Sequence, residues 1–190
     1  MTKRLFDVLI VLLSVIFLMP LIAITFLLVK LTSKGPAFYW SQRVGQCNQL
    51  INMPKFRSMR VDTPVLATHV LNQQGNAEQY LTPVGGFLRK FSLDEIPQLW
   101  SVLKGDMSIV GPRPALFNQD DLIELRTKYG VDKLRPGITG WAQINGRDEI
   151  PIPKKVALDV YYLEHQSLFF DCYIILLTII KVLKRDNVSH

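Results

Sequence analysis

The chain has 190 residues, 48% of them hydrophobic, with 22 Lys and Arg against 16 Asp and Glu; the resulting +6 favours anionic partners (phosphates, nucleic acid, anionic lipid) or a merely solvated surface. That length buries one ordinary core and little more, so one domain with an attached membrane element is expected. Cys47 and Cys172 are the only cysteines and belong to no paired motif, which argues against a disulfide framework or a zinc site and for a reducing compartment.

From Val8 to Val29 the chain runs 22 residues without a charge, enough to cross a hydrocarbon core of about 30 Å. A secretory signal peptide has a shorter apolar region and a small-residue cleavage site, and here bulky apolar residues continue to Leu28 and Val29. Pro20 sits near the midpoint, where it removes a helix hydrogen bond and collides with the preceding turn, so a kink or break is expected there. Lys3 and Arg4 precede the segment while Lys30 and Lys34 follow it, and both ends therefore read as cytoplasmic. Two geometries remain open: a proline-kinked span, or a helix that enters and leaves by one face.

Beyond this segment, "AFYWSQRVG" and "QLINMPKFRSM" read as two short strands of a hairpin around the turn residues Gly45 to Asn48. Asp62 to Tyr80 is polar and reads as a surface loop. Gly85 and Gly86 open a short amphipathic stretch, "FLRKF", that ends at Ser92. Ser92 and Glu95 have the spacing of a capping box, which predicts a helix from Leu93 to a stop at Gly105, with Pro97 tolerated in its first turn. Asp94 and Glu95 are adjacent there, and adjacent helical positions do not face each other. From the hexapeptide "SLDEIP" alone, capping and helix-dipole roles are as good an account of the two acids as chemistry at a bound anion.

"GDMSIVGPRP" and "RPGITGWAQINGR" concentrate glycine, proline and arginine in loops that fix backbone shape. Arg113, Arg135 and Arg147 lie in them, and Arg presents a planar fork suited to phosphate oxygens. The last third reads as helices, "IPKKVALDVYYLEH" and "SLFFDCYIILLTIIKVLKR". Cys172 to Ile180 carries no charge for nine residues, too short to span and suited equally to burial or to an interface with Lys181, Lys184 and Arg185 at headgroup level.

"FRSM", "SLDEIPQLWSVLKGDMSIVGPRP", "RPGITGWAQINGR", "DVYYLEH" and "SLFFD", in this order after a proline-broken apolar segment, resemble the bacterial sugar transferase family of monotopic phosphoglycosyl transferases. The resemblance covers Lys3 to about Ser189, and the short chain looks like the minimal catalytic kind. It implies an α+β, mostly helical fold with a re-entrant membrane helix broken at Pro20, a small β-hairpin and interfacial amphipathic helices. Residues 1–34 would form the membrane-associated helix and 35–190 a catalytic domain on the cytoplasmic face of the bacterial inner membrane. One departure concerns the break: the family often has Ser-Pro there, whereas Met19 precedes Pro20 and offers no hydroxyl to a freed carbonyl.

The implied reaction moves a sugar-1-phosphate from a UDP-sugar to undecaprenyl phosphate, releases UMP and starts a glycan. In the family's pattern Asp94 matches the nucleophile and Glu95 the acid associated with magnesium. Arg89, Arg113, Arg147 and Lys55 match phosphate-binding positions, with Asp159 and Arg135 as further site candidates. Charge neutralisation by magnesium and arginines is what lets a carboxylate attack a dianionic diphosphate. The expected partners are a UDP-sugar, undecaprenyl phosphate and membrane lipids, with nucleic acid excluded and a homo-oligomer left open. Two other classes share some features: a metal-dependent diphosphate hydrolase using the same acids, and a basic lipid-binding adaptor without chemistry.

Overall fold

A computed structural model describes residues 2–63, 77–146 and 150–184. The fold is α+β and mostly helical, as expected, and begins with α1, Thr2–Thr32. Pro20 lies inside α1 and the helix runs on through it, so the expected break is not an interruption of helical structure. Proline withdraws one donor from the ladder and disturbs the turn before it, and a helix can absorb that by bending.

Both ends of α1 are tied to the rest of the molecule. Near the start, Lys3 Nζ pairs with Asp171 at 2.6 Å, and Arg4 donates to the carbonyls of Val102 and Leu103. Asp7 accepts from the Ser108 hydroxyl at 2.9 Å and the Ile109 amide at 3.1 Å, and Val11 is packed in the main core. At the far end Val29 packs with Ala37, Phe56 and Leu88. There Arg57 reaches back to the carbonyls of Ser33 at 2.9 Å and Lys34 at 2.6 Å. Gly35 turns the chain at φ 118°, and a Cβ on it would lie 2.1 Å from Arg57 Nη1, so the turn needs glycine both for its φ and for the guanidinium. Between these anchors Ile16, Phe17 and Met19 are exposed.

The hairpin forms as expected, with β1 (Phe38–Val44) antiparallel to β2 (Leu50–Phe56). Its turn uses Cys47 and Asn48 at φ 52° and 59°. The polar stretch read as a loop closes with a short 3₁₀ turn, Ala77–Tyr80, and residues 64–76 lie outside the described part. Helix α2 (Gly85–Lys90) follows, then a 3₁₀ segment Leu93–Gln98 that continues as α3 (Leu99–Lys104) and stops at Gly105, φ 98°. The stop is where the sequence placed it, because αL at a helix end favours glycine.

A second sheet escapes the periodicity argument: β3 (Ser108–Val110) lies parallel to β4 (Gly137–Thr139). It joins the two Gly/Pro-rich segments. A Cβ on Gly137 would stand 2.1 Å from the Gly111 nitrogen, and one on Gly140 2.1 Å from the Gly111 oxygen, so backbone packs on backbone with no room for a side chain. Helices α4 (Asp120–Lys128), α5 (Trp141–Ile144), α6 (Ile152–Glu164) and α7 (Leu168–Lys184) complete the body. The main core joins Val11, Met53, Val102, Ile109, Tyr162 and Ile174. In α7 Asp171 and Ile174 are buried while Phe169, Leu176 and Ile179 are exposed, so the apolar run is neither wholly core nor wholly surface. Lys181 donates to the Ile144 carbonyl and thus braces α5 rather than only facing outward.

Candidate active site

Three elements converge on the acid pair. The 3₁₀ segment packs on β2, which carries Lys55, and on α2, which carries Arg89; the loop after β3 carries Arg113. In a 3₁₀ turn neighbouring side chains diverge by about 120°. Asp94 accordingly turns inward and is only 7% exposed, while Glu95 is half-buried beside it.

The capping box expected of Ser92 and Glu95 does not form. Ser92 adopts φ 53° and makes no side-chain capping bond, and its carbonyl instead accepts the Glu95 amide at 3.2 Å. A left-handed residue at that point turns the backbone sharply and takes the hydroxyl away from the first-turn amides. Glu95 is thereby released to partners across the site: Lys55 Nζ lies 2.7 Å from Glu95 Oε1, and Arg113 Nη2 lies 3.8 Å from the same oxygen.

Burial pushes the Asp94 carboxyl up from 3.8 to about 6 and Glu95 adds to the rise, while Lys55 and Arg89 pull it back. At pH 7 it is still mostly ionised. Burial also lowers the Arg89 guanidinium from its usual value, against the pull of Asp94 and Glu95, and Arg89 Nη1 rests 3.3 Å from Met59 Sδ. Asp94 Oδ1 is buried without a hydrogen-bond partner among the described residues. A buried, ionisable and unbonded oxygen costs stability and is what a nucleophile needs.

Lys55, Arg89 and Arg113 are therefore brought to the pair as expected, and Arg147 lies outside the described residues. Asp159 is engaged elsewhere. Asp159 is buried on Arg126, whose Nη2 lies 2.7 Å from Asp159 Oδ2, and burial pushes Asp159 above the usual carboxylate range against the pull of Arg126. The Arg135 backbone oxygen lies against Gly111, and its Nε is buried unbonded among the described residues. Sequence reasoning passed over Arg126, one basic residue in the charged run "DDLIELRTK", and Asp7, whose signal was legible as the only acid at the edge of an uncharged segment.

Among the described residues no three His, Cys, Asp or Glu side chains gather to hold a metal. Magnesium does not ask for that, since it commonly takes one or two carboxylates and fills its shell with water and substrate phosphate oxygens. Glu95 fits such a sparse donor set as a single carboxylate ligand, which leaves the unbonded oxygen of Asp94 out of the metal's shell.

Because the folded-state value of Asp94 is raised, its ionised form weakens the fold above about pH 6, and that cost fades as the pH falls through 6 toward 3.8. Asp94→Asn is expected to melt a few degrees above the parent at pH 8, from a difference on the order of 2–3 kcal/mol. Thermal scans from pH 8 to 4.5 should show the gap closing; a variant equal or inferior to the parent at pH 8 would refute the burial argument.

The family model described as "Bacterial sugar transferase" matches residues 1–185. An uncharacterized sugar transferase of Bacillus subtilis (strain 168), EpsL, is 40% identical over 99% of this chain and 90% of its own. The UDP-glucose:undecaprenyl-phosphate glucose-1-phosphate transferase of Escherichia coli (strain K12) is 40% identical over 94% of this chain and 39% of its own. The undecaprenyl-phosphate galactose phosphotransferase of Salmonella typhimurium is 36% identical over 97% of this chain and 41% of its own. The chain thus spans about two fifths of the length of these last two relatives. With its acid pair, converging cations and this likeness along nearly its whole length, the chain belongs to the bacterial sugar transferase family and is a transferase enzyme.

Proposed function

We propose that the protein transfers a sugar-1-phosphate from a UDP-sugar to undecaprenyl phosphate through a covalent aspartyl-phosphosugar on Asp94. The observation that carries this reading is the buried, mostly ionised Asp94 with one oxygen unbonded, facing cations from β2 and α2. The donor and acceptor come from the names of the Escherichia coli and Salmonella typhimurium relatives.

Asp94 Oδ1 attacks the phosphorus that bears the sugar, the bond from that phosphorus to the UMP oxygen breaks, and UMP leaves with the electron pair. An oxygen of undecaprenyl phosphate then attacks the same phosphorus. The bond to Asp94 breaks, the carboxylate is restored, and an undecaprenyl diphosphate sugar results. Lys55, Arg89 and Arg113 orient the diphosphate and offset the charge that would otherwise repel the nucleophile. Glu95 would hold magnesium, which when bound supplies further neutralisation of the phosphate oxygens. The Lys55 contact at 2.7 Å holds Glu95 in place and leaves an ammonium close enough to pass to a substrate phosphate.

We place α1 in the bacterial inner membrane from its cytoplasmic face, as a re-entrant helix. A straight helix of its 31 residues would be about 46 Å long, yet both of its ends are tied to one body and its exposed apolar middle carries Pro20. A bend at Pro20 reconciles these facts. Exposed Phe87, Phe91, Trp100, Phe169 and Leu176 supply further apolar surface suited to an interface.

A panel of UDP-sugars offered with undecaprenyl phosphate and magnesium is expected to yield UMP for at least one sugar and none with Asp94→Asn. Retained turnover in that variant, or sugar phosphate ending in water with no lipid product, would overturn the reading. For topology, cysteines placed at Thr2 and at Lys34 are both expected to resist a membrane-impermeant periplasmic reagent in intact cells; modification of either would restore a spanning helix.

A further inference from the structure

The segment that carries Arg113 is held almost atom by atom. The Gly111 amide donates to the Thr139 carbonyl at 2.9 Å, and the Pro112 carbonyl accepts from Gly137 at 2.9 Å. The Pro114 carbonyl accepts from Arg43 at 3.5 Å, and the Ala115 carbonyl from the Val44 amide at 3.0 Å. Between them, the Arg113 carbonyl accepts from Arg126 Nη1 at 2.8 Å. Its neighbours on both sides are prolines, so neither flanking residue has an amide to tie the peptide locally.

Arg126 stands on α4 and is 8% exposed, and Asp159 on α6 is 2% exposed. Arg126 Nε and Nη2 approach Asp159 Oδ2 at 3.0 and 2.7 Å. A buried ion pair is a poor device for stability alone, since apolar residues of the same volume commonly hold two helices as well or better. What the pair adds is direction. A planar guanidinium fixed along one edge by a carboxylate presents its remaining donor at one angle, and here that donor meets the backbone of Arg113, whose own side chain extends toward Glu95.

We propose that Arg126, oriented by Asp159, is a positioning residue that sets where the Arg113 guanidinium stands relative to the acid pair. This rests on the reading of Arg113 as a phosphate-binding group. It also gives Asp159 a role at one remove from the chemistry: Asp159 aims Arg126, Arg126 pins the peptide of Arg113, and Arg113 meets substrate.

The test is a double-mutant cycle on the full chain, read as kcat and KM for the UDP-sugar, with melting temperatures alongside. Arg126→Ala is expected to lower kcat/KM about 10- to 100-fold, the usual scale for misplacing a binding group by a fraction of an ångström to one ångström. Arg113→Ala with Arg126→Ala together should be no worse than Arg113→Ala alone within about twofold, because a lost position matters only while the group is present. Multiplying losses would mark Arg126 as merely structural and overturn the proposal. Arg126→Lys keeps a charge for Asp159 but not the fork, so it should melt near the parent yet lose activity in the same non-additive way; parental kinetics in that variant overturn the proposal too. If Arg126→Ala does not fold, the lysine variant carries the cycle. No UMP from the parent chain would overturn the functional reading itself, whereas an active parent with additive losses overturns only the positioning role.

Discussion

A carboxylate buried next to a second carboxylate is tolerated only where cations converge on it, and the fold is arranged around that need. Asp94 is almost fully enclosed, Glu95 raises the cost of ionising it, and Lys55 and Arg89 offset part of that cost from two different elements. The hairpin is the arm that delivers Lys55, and α2 delivers Arg89. The loop after β3 delivers Arg113 to the same Glu95 oxygen that Lys55 meets. Stability given up at Asp94 is therefore reactivity held in reserve, the usual trade where a site must be poised before its substrate arrives.

The membrane helix and this centre are mechanically one object. Arg4 donates to the last carbonyls of α3, the helix that continues directly from the 3₁₀ segment bearing Asp94 and Glu95. Asp7 binds the start of β3, three residues before the loop that carries Arg113. Polar groups at the edge of an apolar helix are costly unless satisfied, and here each is satisfied by the catalytic body. On the proposed placement of α1 in lipid, its depth would set the height of the acid pair above the membrane.

Much of this arrangement was legible in the residues. Turn residues at Gly45 to Asn48 located the hairpin, and Gly105 ended α3 for the reason helices usually end at glycine. The adjacent acids Asp94 and Glu95 fitted a helix cap as well as a site in their own hexapeptide, and the motifs around them marked the centre. The illegible parts have physical reasons. Strands β3 and β4 are three residues each and fully or nearly buried, so neither alternation nor length announces them. Ser92 fits a capping box in spelling but sits at φ 53°, a tertiary choice no spacing rule records. Pro20 signals disruption, yet helical hydrogen bonding resumes around it. Asp159 reads as a site residue and is found paired with Arg126, a partner 33 positions away in the chain. Pairings at that separation follow from how α4 and α6 pack, which sequence pattern does not specify.

The role of Asp94 as nucleophile can be met head on by mass spectrometry of the protein after incubation with a reactive UDP-sugar and magnesium in the absence of undecaprenyl phosphate. The expected result is an adduct of one sugar phosphate on the peptide that contains Asp94, formed with release of UMP and discharged when undecaprenyl phosphate is added. UMP release that produces no adduct, or an adduct on any other residue, would contradict it.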